Sequence, residues 1–178
     1  MVAVFASGAG TTLQALLDNQ EKYMYQISLV VANRECQAIE RAAKTNIDAV
    51  VSTDWVEIDK ALADRNIRLI VLAGFLAILP GWFCHKWEGK MVNIHPSLLP
   101  KHGGKGMYGI RVQESVLASG DNVAGCTVHY VSAEIDGGNI IAQAQVDVLE
   151  GDTPETLSAR VQQKEKQLLP RIVGELLQ

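Results

Sequence analysis

Apolar positions along this chain switch between two periods, and the switching divides it into strands and helices. "MVAVFASGAGTTLQALLDN" begins with an apolar run, turns at Gly8 and Gly10, and continues with Leu13, Leu16 and Leu17 at helical spacing. A strand, a tight turn and a helix follow one another there. The pattern recurs: "QISLVVANRECQAIERAAKTN" predicts a strand then a helix, and "WVEIDKALADRNIRLIVLAGF" a helix then a strand over Leu69 to Ala73. Runs such as "SLVVA" and "RLIVLAG" are apolar on both faces, as strands covered by helices on both sides are. Strands alternating with helices imply a parallel sheet with right-handed crossovers. Later, "GIRVQESVLASGD" predicts a helix, "AGCTVHYVS" an alternating strand and "NIIAQAQVDVL" another strand. A last helix starts near Thr153 with Pro154 in its first turn, and Pro170 inside it is expected to kink or break it. The expected fold is α/β, a single domain with an open, mostly parallel twisted sheet and helices on both faces.

One stretch departs from the apolar pattern. In "KMVNIHPSLLP", Val92 and Ile94 read as the buried side of a short strand, which puts Asn93 and His95 together on its other face. Pro96 and Pro100 then end the ladder, since proline has no N–H to contribute. Two hydrogen-bonding side chains are thereby presented at the edge of the sheet where α/β proteins hold ligands.

Bulk properties narrow the classes. With 178 residues the chain can bury a core of ordinary size without disulfides. A hydrophobic share of 48% and a charged share of 20% belong to a soluble globular protein. The net charge of −4 and the scattered Lys and Arg residues argue against nucleic-acid binding. Cys36, Cys84 and Cys126 are widely separated and form no ligand pattern, so they read as reduced thiols, with no metal expected. Without a charged leader or an apolar run of about 18 residues, a cytoplasmic location and no membrane partner are expected.

Three constellations carry candidate chemistry. "SGAGTT", residues 7 to 12, joins the first strand to the first helix, where small residues let backbone N–H groups crowd an anion at a helix N-terminus. It lacks the third glycine of a dinucleotide fingerprint and the Gly-Lys-Ser/Thr of a Walker motif, so a single mononucleotide phosphate fits better. A turn that needs glycine only for its backbone, with Thr11 and Thr12 capping the helix, would account equally for the segment. The second constellation is Asn93, His95 and the later Asp136 of "EIDGGN". An imidazole beside a carboxylate can be held in one tautomer, and an amide two residues away can donate to a developing oxyanion. Strand-end hydrogen bonders and an Asp-Gly hairpin turn are the alternative. Ser97 lies nearby but no G-x-S-x-G elbow surrounds it, so any nucleophile must come from the substrate. The third is "GGKGMYG", four glycines in residues 103 to 109, a loop that approaches a ligand closely or moves. Within it Lys105 could meet an anion or lie in solvent, and Tyr108 could anchor the loop to the core.

Together these segments resemble the glycinamide ribonucleotide formyltransferases, folate-dependent enzymes of de novo purine (IMP) biosynthesis. "ASGAGTTLQALL", "VLAGFLAIL", "NIHPSLLPKHGGKGMYG", "GCTVHYVSAEIDGGNII" and "ARVQQKE" follow that family's pattern in order over nearly the whole chain. The resemblance implies a Rossmann-like formyltransferase domain, with residues 1–92 as the phosphate-binding half and 93–178 as the catalytic and folate-binding half. It makes Asn93, His95 and Asp136 the catalytic trio. Gly10, Thr11 and Thr12 would take the phosphate of glycinamide ribonucleotide, helped by Gln162, and Glu165 would take the ribose. Leu76, Ala77, Ile78 and Leu79, with Val131 to Asp136 and Asn93, would line the pocket for 10-formyltetrahydrofolate, the co-substrate. Small-molecule substrates, and a monomer or homodimer, are implied. Two stretches depart from the family pattern: Ala9-Gly10-Thr11-Thr12 stands where many relatives have Asn-Gly-Ser-Asn, and Ala77 replaces a common arginine. The same trio with water as nucleophile would be a formyltetrahydrofolate deformylase, and a domain using only "SGAGTT" would be a mononucleotide-binding module.

Overall fold

The computed structural model describes all 178 residues. In chain order the elements are β1 (Val2–Phe5), α1 (Thr11–Asp18), α2 (Gln20–Tyr23), β2 (Ile27–Ala32), α3 (Gln37–Lys44), β3 (Asp48–Val51), α4 (Trp55–Ala63) and β4 (Leu69–Leu72). The second half adds α5 (Gly81–Lys86), β5 (Met91–His95), α6 (Ile110–Ser119), β6 (Val123–Tyr130), β7 (Ile140–Asp147) and α7 (Pro154–Leu177). One seven-stranded sheet runs in the order β3-β2-β1-β4-β5-β6-β7. From β3 to β5 every pairing is parallel, and the β5–β6 and β6–β7 pairings are antiparallel.

The side-chain alternation of the strands builds two cores. Val2 and Val4 of β1 face one side, where they join Leu13 and Leu16 of α1, Ala38 and Ala42 of α3, and Leu157, Val161, Leu169 and Val173 of α7. Ala3 and Phe5 face the other, against Ile58 and Leu62 of α4 and Phe83 and Trp87 around α5. Helices thus cover both faces, and the central strands β1 and β4 are apolar throughout because neither of their faces meets water, whereas the edge strand β3 is largely exposed. No helix is long and apolar enough to cross a membrane.

Several local expectations change in the folded chain. The helix α7 runs through Pro170 without a break. Its Pro170 ring is buried together with Leu168, Leu169, Ile172 and Val173, and that packing holds the helix across the missing N–H. Its start is as read: Pro154 stands at the first helical position, and Thr153 and Thr156 exchange side-chain-to-backbone bonds in a capping box. Strand β6 does not alternate, since Ala124 to His129 are buried without interruption between β5 and β7. The helices α2 and α5 carry too few turns to show a period. Thr11 and Thr12 do not cap α1; Gly10 holds the N-cap position with no side-chain bond.

Leu169 is fully buried on α7, the helix that closes the first core. Leu169→Ala should lower the unfolding free energy by about 2 to 5 kcal/mol, read as a lower urea midpoint at an unchanged slope.

Candidate active site

The strand order reverses between β1 and β4, whose chains continue in opposite directions along the sheet. A crevice opens at the carboxyl ends of strands at such a point. Here Ser7 ties its rim together: its N–H donates to Gly74 carbonyl, and its hydroxyl bonds Asn33 Oδ1 at 2.7 Å and accepts from Leu76 N–H at 2.9 Å.

On one side of the crevice lies the "SGAGTT" turn. Gly10 adopts φ 67°, and a Cβ there would lie 2.9 Å from Ala38 Cα, so only glycine fits both the conformation and the space. The turn is braced from α3, with Arg41 Nε donating to Ala9 carbonyl at 2.8 Å and Ala38 N–H donating to Gly8 carbonyl. Arg34 Nε likewise donates to Ser7 carbonyl. With no capping side chain, the N–H groups of Thr11, Thr12 and Leu13 carry no partner within the chain. Unpaired donors at the positive end of a helix form an anion site of one phosphate's size.

On the other side, the β5–β6 register sets the polar cluster. Asn93 lies directly opposite His129 and His95 opposite Thr127. Asn93 Nδ2 is 3.1 Å from His129 Nε2, and His129 Nδ1 is 2.9 Å from Tyr130 carbonyl. A carbonyl only accepts, so His129 carries its hydrogen on Nδ1 and takes the Asn93 amide hydrogen on Nε2. That leaves the second Asn93 N–H free. The same logic places the His95 hydrogen on Nε2, which sits 2.9 Å from His102 carbonyl, and leaves Nδ1 as the atom facing the cluster. Asp136 stands between the two rings, Oδ2 3.5 Å from His95 Nδ1 and Oδ1 3.7 Å from His129 Nε2. Its Oδ2 also accepts from Gly104 N–H at 2.9 Å, and its backbone takes the left-handed conformation, φ 54°. Burial pushes the His129 pKa down, against the Tyr130 bond and the Asp136 charge, which favour its protonated form.

The sheet therefore brings Asn93, His95 and Asp136 together, and adds His129, which the sequence reading passed over. Its signal was present: in "CTVHYV" the residues Thr127 and His129 share one face, as Asn93 and His95 do. The loop that carries Asp136 also walls a cavity of about 530 Å³, bounded by Val131, Ser132, Gly137 and Gly138 on one side and Gly81 and Cys84 of α5 on the other. Gly138 lies against Tyr130 carbonyl, with no room for a side chain. Leu76 to Leu79 do not bound this cavity; Leu76 and Ile78 are 54% and 81% exposed on the loop after β4. In the glycine-rich loop, Tyr108 is exposed under the Arg111 guanidinium and does not anchor to the core, and Lys105 forms no ion pair.

The α7 residues differ from one another. Gln162 is exposed, its amide 3.4 Å from Ser158 hydroxyl. Glu165 falls in the apolar stripe of Leu157, Val161, Leu168 and Leu169, is 7% exposed, and has no hydrogen-bond partner in the chain. Burial raises its pKa from 4.5 to about 7, opposed only by the Lys166 charge. Its oxygens are not themselves fully closed off, so a carboxylate with no partner in the chain is left accessible to hydroxyl donors. No hydrogen bond joins these residues to Gly10, Thr11 or Thr12; the link between them is the packing of α7 on α1.

Residues 1–173 match the sequence model of the formyl transferase family. The chain is 41% identical over 181 residues to the human trifunctional purine biosynthetic protein adenosine-3, covering 95% of this chain and 17% of that protein. It spans 13% to 18% of the length of the trifunctional relatives of this kind that it matches. The phosphoribosylglycinamide formyltransferase of Haemophilus influenzae is 35% identical over 97% of this chain and 84% of its own length. The crystal structure of glycinamide ribonucleotide transformylase 1 from Geobacillus kaustophilus superposes with a TM-score of 0.91 at 36% identity, covering 99% and 98% of the two chains.

The Glu165 carboxyl makes stability depend on pH. Below 4.5 it is protonated in both folded and unfolded chains; between 4.5 and about 7 the unfolded chain ionises first, so stability falls as pH rises, by about 3 kcal/mol in all. Glu165→Gln should therefore raise the unfolding free energy at pH 8, with most of the gain gone at pH 5. Urea melts of both proteins at the two pH values measure this, and equal stability at pH 8 would mean that the carboxylate is not buried.

Proposed function

The chain belongs to the formyl transferase family, and from that premise we propose that it transfers the formyl group of 10-formyltetrahydrofolate to the primary amine of glycinamide ribonucleotide, a step of purine biosynthesis. The observation that carries the proposal is the meeting of Asn93, His95 and Asp136 with no activated side-chain nucleophile among them. Such a site acts on a substrate that brings its own nucleophile.

The amine attacks the formyl carbon, and the carbonyl oxygen becomes an oxyanion in a tetrahedral intermediate. The free N–H of Asn93 and a proton on His95 Nδ1 are the donors for that oxygen. His95 Nε2 is committed to the His102 carbonyl, so Nδ1 alone faces the reaction. Asp136, 3.5 Å from that atom, balances the imidazolium charge and relays the proton from the attacking amine towards the departing folate nitrogen through water. The free amides of Thr11 and Thr12 would hold the phosphate, Gln162 would assist, and the Glu165 carboxylate would accept from the ribose hydroxyls. The folate would lie along the loop from Val131 to Asp136 and the apolar Leu76, Ala77, Ile78 and Leu79 of the loop after β4; the cavity of about 530 Å³ shares Val131, Ser132 and Ala133 with that loop but is bounded by none of Asn93, His95 and Asp136. In this reading residues 1–92 supply the phosphate site and 93–178 the chemistry, in a cytoplasmic protein.

The test is an assay of the purified protein with both substrates. Formyl transfer should require the amine, and rapid consumption of the formyl-folate without it would make the protein a deformylase instead. His95→Ala should fold and lose about 10²- to 10³-fold in rate. Asp136→Asn should fold too, because asparagine tolerates the left-handed backbone of that position, while the acidic limb of the pH–rate profile changes along with the rate.

Gly10→Val should raise the KM for glycinamide ribonucleotide and leave that for the folate nearly unchanged, since the added branch meets Ala38 beneath the phosphate turn. A rise in the folate KM instead would show that the two substrates occupy opposite halves from those proposed.

A further inference from the structure

The segment from Ser97 to Gly104 gives the site two backbone groups, the His102 carbonyl to His95 Nε2 and the Gly104 N–H to Asp136 Oδ2. Neither group can choose its position; the loop must be fixed by something else. The His102 side chain points away from His95 and is bonded at both nitrogens. Its Nδ1 lies 2.8 Å from Ser115 Oγ on α6, and its Nε2 lies 2.9 Å from Asp121 Oδ2, just past the end of that helix. The other Asp121 oxygen accepts from Lys101 Nζ at 2.9 Å. These bonds hold the Asp121 carboxyl down at about 2, with the His102 bond the largest cause, so it is an anion throughout the working range. His102 itself takes a left-handed backbone, φ 55°, a conformation that a non-glycine residue keeps only when its surroundings over-determine it. Two further bonds brace the same loop: Ser97 hydroxyl donates to Lys101 carbonyl, and Gln113 Nε2 on α6 donates to Pro96 carbonyl.

We infer that His102 is a positioning residue for the reaction: its imidazole, clamped between Ser115 and Asp121, fixes the peptide whose carbonyl holds His95 with its hydrogen on Nε2 and Nδ1 turned towards Asp136. Serine, histidine and aspartate in this order also make up a nucleophilic triad, but the contacts here argue for a clamp. Ser115 does not line the neighbouring cavity of about 270 Å³ that His102 and Asp121 help to bound, and Asp121 shares its charge with Lys101. The role follows the wider rule that the partner of an imidazole's second nitrogen sets its tautomer and orientation. Here that partner is a carbonyl, and the clamp is what aims it.

The rate consequence rests on the formyl-transfer reading; the effect on His95 does not. The experiment pairs long-range ¹H–¹⁵N spectra of His95 with kinetics for His102→Asn, Asp121→Asn and Asp121→Ala. Asparagine at position 102 keeps the left-handed backbone but cannot span Ser115 and Asp121. In the unmodified protein neutral His95 should show a protonated Nε2 and an unprotonated Nδ1. His102→Asn and Asp121→Ala should both move these shifts towards a tautomer mixture and lower kcat about 10- to 100-fold. Both KM values should stay within about twofold, as for loss of an interaction that serves the transition state. Asp121→Asn keeps an acceptor for His102 and should restore most of the rate. Thermal melts identify any variant that fails to fold, and Ser115→Ala, which removes one bond only, then carries the same readouts. Unchanged His95 shifts in a folded His102→Asn would overturn the inference, as would a loss of kcat without a change in those shifts. If the unmodified protein transfers no formyl group, the proposed function fails, while the spectra still decide whether His102 sets the His95 tautomer.

Discussion

The antiparallel pairing of β5 with β6 is the contact on which the rest of the site depends. It places Asn93 opposite His129 and His95 opposite Thr127. From that register follow the amide-to-imidazole bond, the gap that Asp136 fills, and the direction in which the loop after His95 must leave the sheet. A slip of one residue would turn Asn93 and His95 towards the face now held by Val92 and Ile94, and would bury two polar groups among α6 and α7. The register is safe because Val92, Ile94, Cys126 and Val128 belong to one apolar cluster, so any slip would expose that cluster as well. Packing on one face of the sheet therefore specifies polar geometry on the other.

Burial sets the electrostatics of the site. His129, His95 and Glu165 are nearly inaccessible, each at a place where a hydrophobic residue would be more stable. The imidazoles recover part of that loss through carbonyl and amide partners. Glu165 does not, and its carboxyl remains in tension with the helix that carries it. Natural proteins tolerate such a conflict between local rules and the fold where a ligand resolves it.

Much of this was readable from residue order. The period-two pattern of "MVNIH" separated Asn93 and His95 from Val92 and Ile94, and the glycines of "SGAGTT" marked the turn, because those signals arise from neighbouring residues. What escaped depends on distant ones. Nothing near His129 says that it faces Asn93. Pro170 should interrupt a helix, yet α7 continues, because the first apolar cluster, into which Leu168, Leu169, Ile172 and Val173 pack around it, outweighs one lost bond. The expected alternation of β6 vanished for a similar reason: flanked by β5 and β7 and overlaid by α7, it has no wet face. Gln162 and Glu165 share a helical face in projection, but their environments differ because α7 rolls one of them into the core.

The packing of α7 on α1 joins the two ends of the chain. Leu13 and Leu16 of α1 lie in one cluster with Leu169, Ile172 and Val173 of α7, far downstream, and Gly174 rests against Tyr23. During synthesis, then, the first core stays open until α7 has been made, while the second, built from β1 to β5, α4 and α5, can form earlier. The half that carries the "SGAGTT" turn must wait for a helix encoded well downstream of it, and over that interval its exposed leucines are the segment most in need of a chaperone.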